Sequence, residues 1–278
     1  MKTVQLFALK ILILFSVLGT GHATTLLYDP FAGSVGNTLG SNGWTLGSGA
    51  VATQVVANNL SQSGFAASSG NAVNLVWKGQ SWYRTYTAQN YTSSSNDSLF
   101  YSFLLRLDSL GSLNNTGGVF GGLASVSGGS GGAMIGLRAS GAGYQIGIAK
   151  RDFSPLSFDS TVFSLGQTVL VVGSYNLVSG SVTNDTASLW INPGSLGQAS
   201  VPTALATSST ADGDIQSFAS FLWKPSATAT QIPGSLIVDE IRVGNSWAEV
   251  TPIPEPTTWG LLILAAGGFL WMRKRRCA

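Results

Sequence analysis

Histidine and cysteine are almost missing from this chain of 278 residues: there is one of each, His22 and Cys277, near opposite ends. The stretch between residues 24 and 256 has neither. Ser-His-Asp and Cys-His nucleophilic sites, His- or Cys-ligated zinc, redox dithiols and haem ligation are excluded there in one step. Disulfides are excluded too, so a folded body must stand on its core, which a domain of about 200–250 residues can do. Charge is equally scarce, at 9% of residues. Six of the fourteen basic residues, Lys2, Lys10, Arg273, Lys274, Arg275 and Arg276, lie in the two ends. The other eight are spread singly against all twelve acids, a net charge of −4, which gives no electrostatic footprint for nucleic acid. No cofactor is expected.

What is present begins at the ends. Lys2 supplies a positive start, Ile11-Leu12-Ile13-Leu14-Phe15-Ser16-Val17-Leu18 a short apolar run, and Gly21-His22-Ala23 small residues at −3 and −1 of a cleavage point. This is the pattern of a signal peptide over residues 1–23, cut after Ala23. At the other end, three of the nine prolines, Pro252, Pro254 and Pro256, fall within five positions. Proline fixes φ and lacks an amide donor, so 251–256 is expected to be an extended stalk. An uncharged segment with Trp259 and Trp271 near its ends follows, and then Arg273, Lys274, Arg275 and Arg276. Aromatics at both headgroup levels and a basic cluster on the cytoplasmic side suit a transmembrane helix within 257–278. From Thr257 to Met272 there are 16 residues. At a rise of about 1.5 Å each they span about 24 Å, short of the ~30 Å hydrocarbon core. A span this marginal suits a temporary membrane stop.

Pro254-Glu255-Pro256, the short apolar helix and the terminal basic cluster, in that order, resemble the PEP-CTERM sorting signal of Gram-negative bacteria. The resemblance covers about a tenth of the chain. It implies export through the inner membrane, transient anchoring by the C-terminal helix, and processing by an exosortase-type membrane enzyme near Pro254, Glu255 and Pro256. The protein would then reside at the cell surface or outside the cell.

Between the ends the pattern is β. Along Ser98–Asp108, Leu99, Tyr101, Phe103, Leu105 and Leu107 share one face, and Phe100 and Leu104 lie on the other. Val169 and Val171 alternate with Leu170 and Val172, as in a central sandwich strand apolar on both faces. Asn192-Pro193-Gly194 reads as a turn. About a dozen such strands, separated by turn signals and without a sustained helical stripe, predict an all-β, two-sheet antiparallel β-sandwich over residues 24–250. The paired glycines between 117 and 132 precede no Gly-Lys-Ser/Thr and no helix, so they read as hairpin and bulge glycines, not a phosphate cradle. Met134–Arg138, Tyr144–Ile148, Ser188–Pro193 and Ile237–Gly244 together are similar to jelly-roll sandwiches of the concanavalin/laminin-G-like type. That resemblance implies that the closing Asp-Glu-Ile-Arg strand pairs near the N-terminus.

Only carboxylates remain as catalytic candidates, and a glycosidase needs two facing one substrate. Asp239 and Glu240 are neighbours on a strand and are expected on opposite faces, which rules out that pair. Asp239 is expected to bond a neighbouring loop and Glu240 to pair with Arg242. No catalytic residue is assigned and no enzyme activity is expected. Asp212-Gly-Asp214 is a weak calcium candidate, since calcium takes six to eight oxygens and these are two acids on one turn. Trp82, Arg84 and Tyr86, with Tyr91 close by, form the candidate carbohydrate contact: a ring for stacking and a guanidinium to donate hydrogen bonds. The sequence thus reads as an exported surface protein, structural or adhesive in the envelope or exopolysaccharide matrix. A carbohydrate-binding module is the alternative, and a polysaccharide-active enzyme the third.

Overall fold

The computed structural model describes residues 25–254 apart from 50–52, 76–80, 126–128, 225–230 and 232. The expected signal cleavage at Ala23, the transmembrane helix, Glu255, Pro256 and Arg273–Arg276 lie outside the described residues. No helix among the described residues is long and apolar enough to cross a membrane.

The strands are, in chain order, β1 (Leu27–Asp29), β2 (Thr45–Ser48), β3 (Gln54–Val56), β4 (Ala72–Leu75), β5 (Ser81–Asn90), β6 (Ser98–Ser109), β7 (Gly118–Ala124) and β8 (Gly131–Ser140). There follow β9 (Gly143–Arg151), β10 (Ser157–Phe158), β11 (Thr168–Asn176), β12 (Thr186–Ile191), β13 (Ala206–Ser208), β14 (Ser217–Trp223) and β15 (Ser235–Gly244). They form two sheets, and every strand pair is antiparallel. One runs β13-β12-β11-β6-β15-β4-β3, with β1 also on β15; the other runs β10-β9-β8-β7-β14-β5-β2. The protein is an all-β two-sheet sandwich. β15 pairs with β4 through residues 236–238 and with β1 through 241–243, so the closing strand does meet the N-terminal ones.

The core lies between the sheets. Leu99, Tyr101, Phe103, Leu105 and Leu107 of β6 enter it, and Trp223 stacks on Phe120 at 5.9 Å and meets Phe103 edge-on at 5.2 Å. Glycines make room for these rings. A Cβ on Gly173 would lie 2.3 Å from the Tyr101 ring, and one on Gly121 2.4 Å from Trp223. The second apolar face of β6 and β11 is not solvent-facing. Phe100, Leu104, Leu170 and Val172 lie under Leu60, Phe65 and the short helix Trp247–Val250, where Trp247 meets Trp190 at 5.1 Å. The two strands are apolar throughout because each separates two hydrophobic layers.

Candidate functional site

The aromatic strand β5 comes first. Trp82, Arg84 and Tyr86 do share a face, as alternation requires, but that face looks into the sandwich. Trp82 is only 6% exposed and belongs to the inter-sheet core, and Tyr86 packs against the same core. The Tyr86 hydroxyl is buried without a hydrogen-bond partner, and burial drives its pKa upward. Arg84 reaches the other sheet: it lies 3.7 Å from Asp29 Oδ2 and donates to the Asn42 carbonyl. The same Asp29 oxygen accepts from Trp44 Nε1 at 2.7 Å. Flanked by β14 and β2, β5 has core on one side, and its largest aromatic side chain goes there. These three residues therefore expose no stacking platform.

The Asp212–Asp214 turn holds a cation, and the cation is a lysine. Lys150, at the end of β9, is fully buried. Its Nζ donates to the carbonyls of Thr183 (3.1 Å), Thr210 (3.2 Å) and Asp212 (2.7 Å) and pairs with Asp214 Oδ1 at 2.6 Å. Asp214 also accepts the amides of Asn184 and Asp185, both at 3.2 Å. The Asp212 carboxylate accepts the Ser154 hydroxyl, which holds it below the usual carboxylate range. Three carbonyls and a carboxylate around one charge are the oxygen donors that calcium takes, and here the ammonium fills their centre. No cluster of three or more metal-ligating side chains occurs among the described residues.

The acidic pair corrects an expectation. Asp239 and Glu240 do not point to opposite faces, because β15 carries a β-bulge between Asp239 and Arg242. Asp239 lies opposite Leu104 of β6 and Arg242 opposite Ser102, so β15 spends one residue more than its partner. Glu240 takes the surplus position at φ +55°. Leu236 and Val238 before the bulge, and Ile241 and Val243 after it, all enter the inter-sheet core. Both carboxylates are fully buried and turn to the outer side, where segment 60–69 covers them. Asp239 Oδ2 accepts Leu60 N–H at 3.0 Å and Oδ1 accepts Glu240 N–H at 2.8 Å. Glu240 Oε1 accepts Ser69 N–H at 2.8 Å and Tyr28 O–H at 3.2 Å, while Oε2 pairs with Arg242 Nη2 at 2.9 Å. The Arg242 guanidinium lies 4.0 Å over the Tyr28 ring. Burial, opposed by the Leu60 hydrogen bond and reinforced by Glu240, pushes Asp239 up to about 8. A proton held near neutrality beside a second acid is the raw material of acid–base chemistry. Sealed from solvent, these groups instead fasten segment 60–69 to the sheet.

Known proteins add little to that geometry. No family model and no curated protein matches the chain. Among solved structures, an endo-β-1,4-glucuronan lyase from Trichoderma reesei is 14% identical at a TM-score of 0.44, covering 83% of this chain and 100% of its own. Alginate lyase Aly36B is 15% identical at 0.43, covering 80% and 95%. A carbohydrate esterase from Shiga toxin-encoding bacteriophage phi24B is 12% identical at 0.44, covering 79% and 97%. These values carry neither fold nor function to this chain, whose sandwich rests on its own strand pairing.

Reading the sequence missed the Lys150 cage and the bulge. Lys150 follows the apolar run Ile146–Ala149, a local signal, but its oxygens come from residues 33 to 64 positions away. The bulge had no signal in Val-Asp-Glu-Ile-Arg, since no glycine marks it.

Proposed function

We propose that the protein is an exported, surface-sorted sandwich of the concanavalin/laminin-G-like type with a structural or adhesive role in the envelope or exopolysaccharide matrix. The observation that carries this reading is how the buried acids are used. Asp239, Glu240 and Asp214 spend their oxygens on backbone amides, the Tyr28 hydroxyl or an internal cation, so they brace loops and face no substrate. Sorting by a PEP-CTERM-type tail is supported by the way the chain leaves the body. Thr251 is buried, Pro252 accepts the Ala66 amide, and Ile253 and Pro254 are exposed, so the described body ends on a solvent-facing segment at the first proline of the motif.

Intact-mass measurement of the protein from its native host tests the sorting. The expected mass lacks residues 1–23 and everything beyond the Pro254-Glu255-Pro256 region. A mass that includes Arg273–Ala278 would replace exosortase processing with a permanent anchor. The non-catalytic role is tested by incubating the protein with β-glucan, agar and alginate, where no release of reducing sugar is expected. A rate abolished by Asp239→Asn or Glu240→Gln would make the acidic pair catalytic.

A further inference from the structure

The chain leaves the body through a clamp on the outer side of the sheet that contains β6 and β15. Thr251 is buried; its N–H and hydroxyl donate to the Trp247 carbonyl at 3.0 and 2.8 Å, and its hydroxyl oxygen accepts Gly197 N–H at 3.2 Å. The Pro252 carbonyl accepts Ala66 N–H at 2.9 Å. Ile253 lies over Gly197, where a Cβ would meet its Cγ2 at 3.1 Å. Pro252 is thus the last residue hydrogen-bonded to the body, and the segment read as a membrane helix begins at Thr257. Five Cα steps separate the two, at most about 18 Å of extended chain. The headgroup layer on one side of a bilayer takes about 5–8 Å of that length. With roughly 10 Å left, a body on this tether cannot stand clear of a membrane that holds the tail. The surface around the exit is the part brought against the headgroups.

That surface is built for such a position. It consists of segment 60–69, the loop 192–205 and the exit itself, which touch one another. A Cβ on Gly64 would lie 3.6 Å from Leu196 Cδ1, and Leu196 and Ala204 pack on the layer that holds Trp190 and Trp247. Two indoles fix the loop from beneath: Trp190 Nε1 donates to the Pro202 carbonyl at 2.8 Å and Trp247 Nε1 to the Ser195 carbonyl at 2.6 Å. Residues 57–71 and 186–211 contain no Asp, Glu, Lys or Arg. The charges beside them are already engaged, Arg106 with Asp108, Arg242 with Glu240 and Glu249 with the Asn245 amide. No free charge has to be desolvated against lipid, and no cation selects anionic headgroups. Val201, Leu205 and Ile253 are exposed, at 43%, 50% and 53%. Ala206 enters the inter-sheet core, so Leu205 before it turns to the outer side, where Trp190 also lies. Three aliphatic side chains bind a bilayer weakly by themselves, and the short tether supplies the effective concentration.

We propose that this side of the sandwich is a membrane-facing surface, with Val201, Leu205 and Ile253 resting among the zwitterionic headgroups of the bilayer that the tail enters. The inference rests on the reading of residues 257–278 as a membrane segment, and the test separates the two. The chain cleaved after Ala23, carrying Cys277→Ser, is reconstituted in phosphatidylcholine vesicles that include a headgroup-spin-labelled phosphatidylcholine. Flotation with the vesicles, lost when residues 257–278 are deleted, reads the tail. Val201→Cys, Leu205→Cys and Thr85→Cys, the last on the outer side of the other sheet, each carry one fluorophore. The spin label should quench the first two at least about twofold, because the tether leaves only ~10 Å. Thr85→Cys, across two sheets packed about 10 Å apart, should keep its emission. Adding Leu205→Asp to Val201→Cys should cut the quenching by about half, since a charge resists entry among the headgroups. No flotation overturns the tail reading and this inference with it. Flotation without quenching at Val201 and Leu205, equal quenching at Thr85, or quenching that Leu205→Asp leaves unchanged overturns this inference alone.

Discussion

Lys150 and Asp239 are opposite uses of a buried charge. The Lys150 ammonium is matched by Asp214 and three carbonyls, so its burial is compensated on every side. Removing only the cation leaves Asp214 charged in a dry pocket, and breaking such a buried pair costs about 3–5 kcal/mol. Lys150→Met should therefore show a loss of that size in urea unfolding, and Lys150→Met with Asp214→Asn should recover part of it. Asp239 works the other way, because its folded pKa is raised to about 8 from an ordinary carboxylate value. Between roughly pH 4 and 8 the folded state keeps a proton that the unfolded state has lost, so stability falls as pH rises through that window. Asp185, raised in the same direction by burial, adds to the slope. Asp239→Asn should flatten the decline, measured as unfolding midpoint against pH. Its absolute stability should drop, because an amide has one acceptor oxygen for the two amides that Asp239 serves.

At the scale of the element, β15 and β11 show what alternation tolerates. A strand's side chains change face at every residue, so losing one residue from a regular strand flips everything beyond it. Deleting Leu170 from the unbulged β11 should turn Val171 and Tyr175 away from the inter-sheet core, and no cooperative unfolding transition is expected. Deleting Glu240 removes the surplus residue of the bulge and leaves Ile241 and Val243 facing inward. That variant should still melt cooperatively by circular dichroism, at a lower temperature, because Arg242 and Ser69 lose their partner. Gly173 sets a different limit. Gly173→Ala puts a methyl group into the Tyr101 ring, and overpacking of this kind costs about 1–3 kcal/mol.

The described residues include no cysteine and no cluster of three or more metal-ligating side chains; the core, the layer beneath Trp247 and the Lys150 cage hold the whole molecule together. Thermal unfolding should be unchanged by reductant and shifted by less than about 2 °C by EDTA. A bound ion would raise the melting temperature by mass action, and a fall of about 5 °C or more on chelation would show that one is bound. Sheet edges are short: β3, β10 and β13 have three, two and three residues. Brief edges limit edge-to-edge pairing with other chains.

Much of the sandwich was legible along the chain because alternation is a local signal: the two-faced β6 and β11 and the turn at Asn192 follow from neighbouring residues alone. The short strands β2, β10 and β13 were not, since two to four residues on an edge are too few to set a period. The absence of histidine and cysteine from the body likewise needed no structure, because an absent side chain performs no chemistry in any fold. The sites needed the structure. Whether Trp82 faces core or solvent depends on which side of β5 the second sheet covers, and a strand's own pattern is symmetric about that choice. The Asp212–Asp214 turn has the same residues whether it holds calcium or Lys150, and only packing brings that ammonium to its oxygens. The bulge at Glu240 comes from pairing with β6 on one side and with β4 and then β1 on the other. Local sequence sets which faces are apolar, whereas the meeting of residues far apart in the chain decides what each polar group touches.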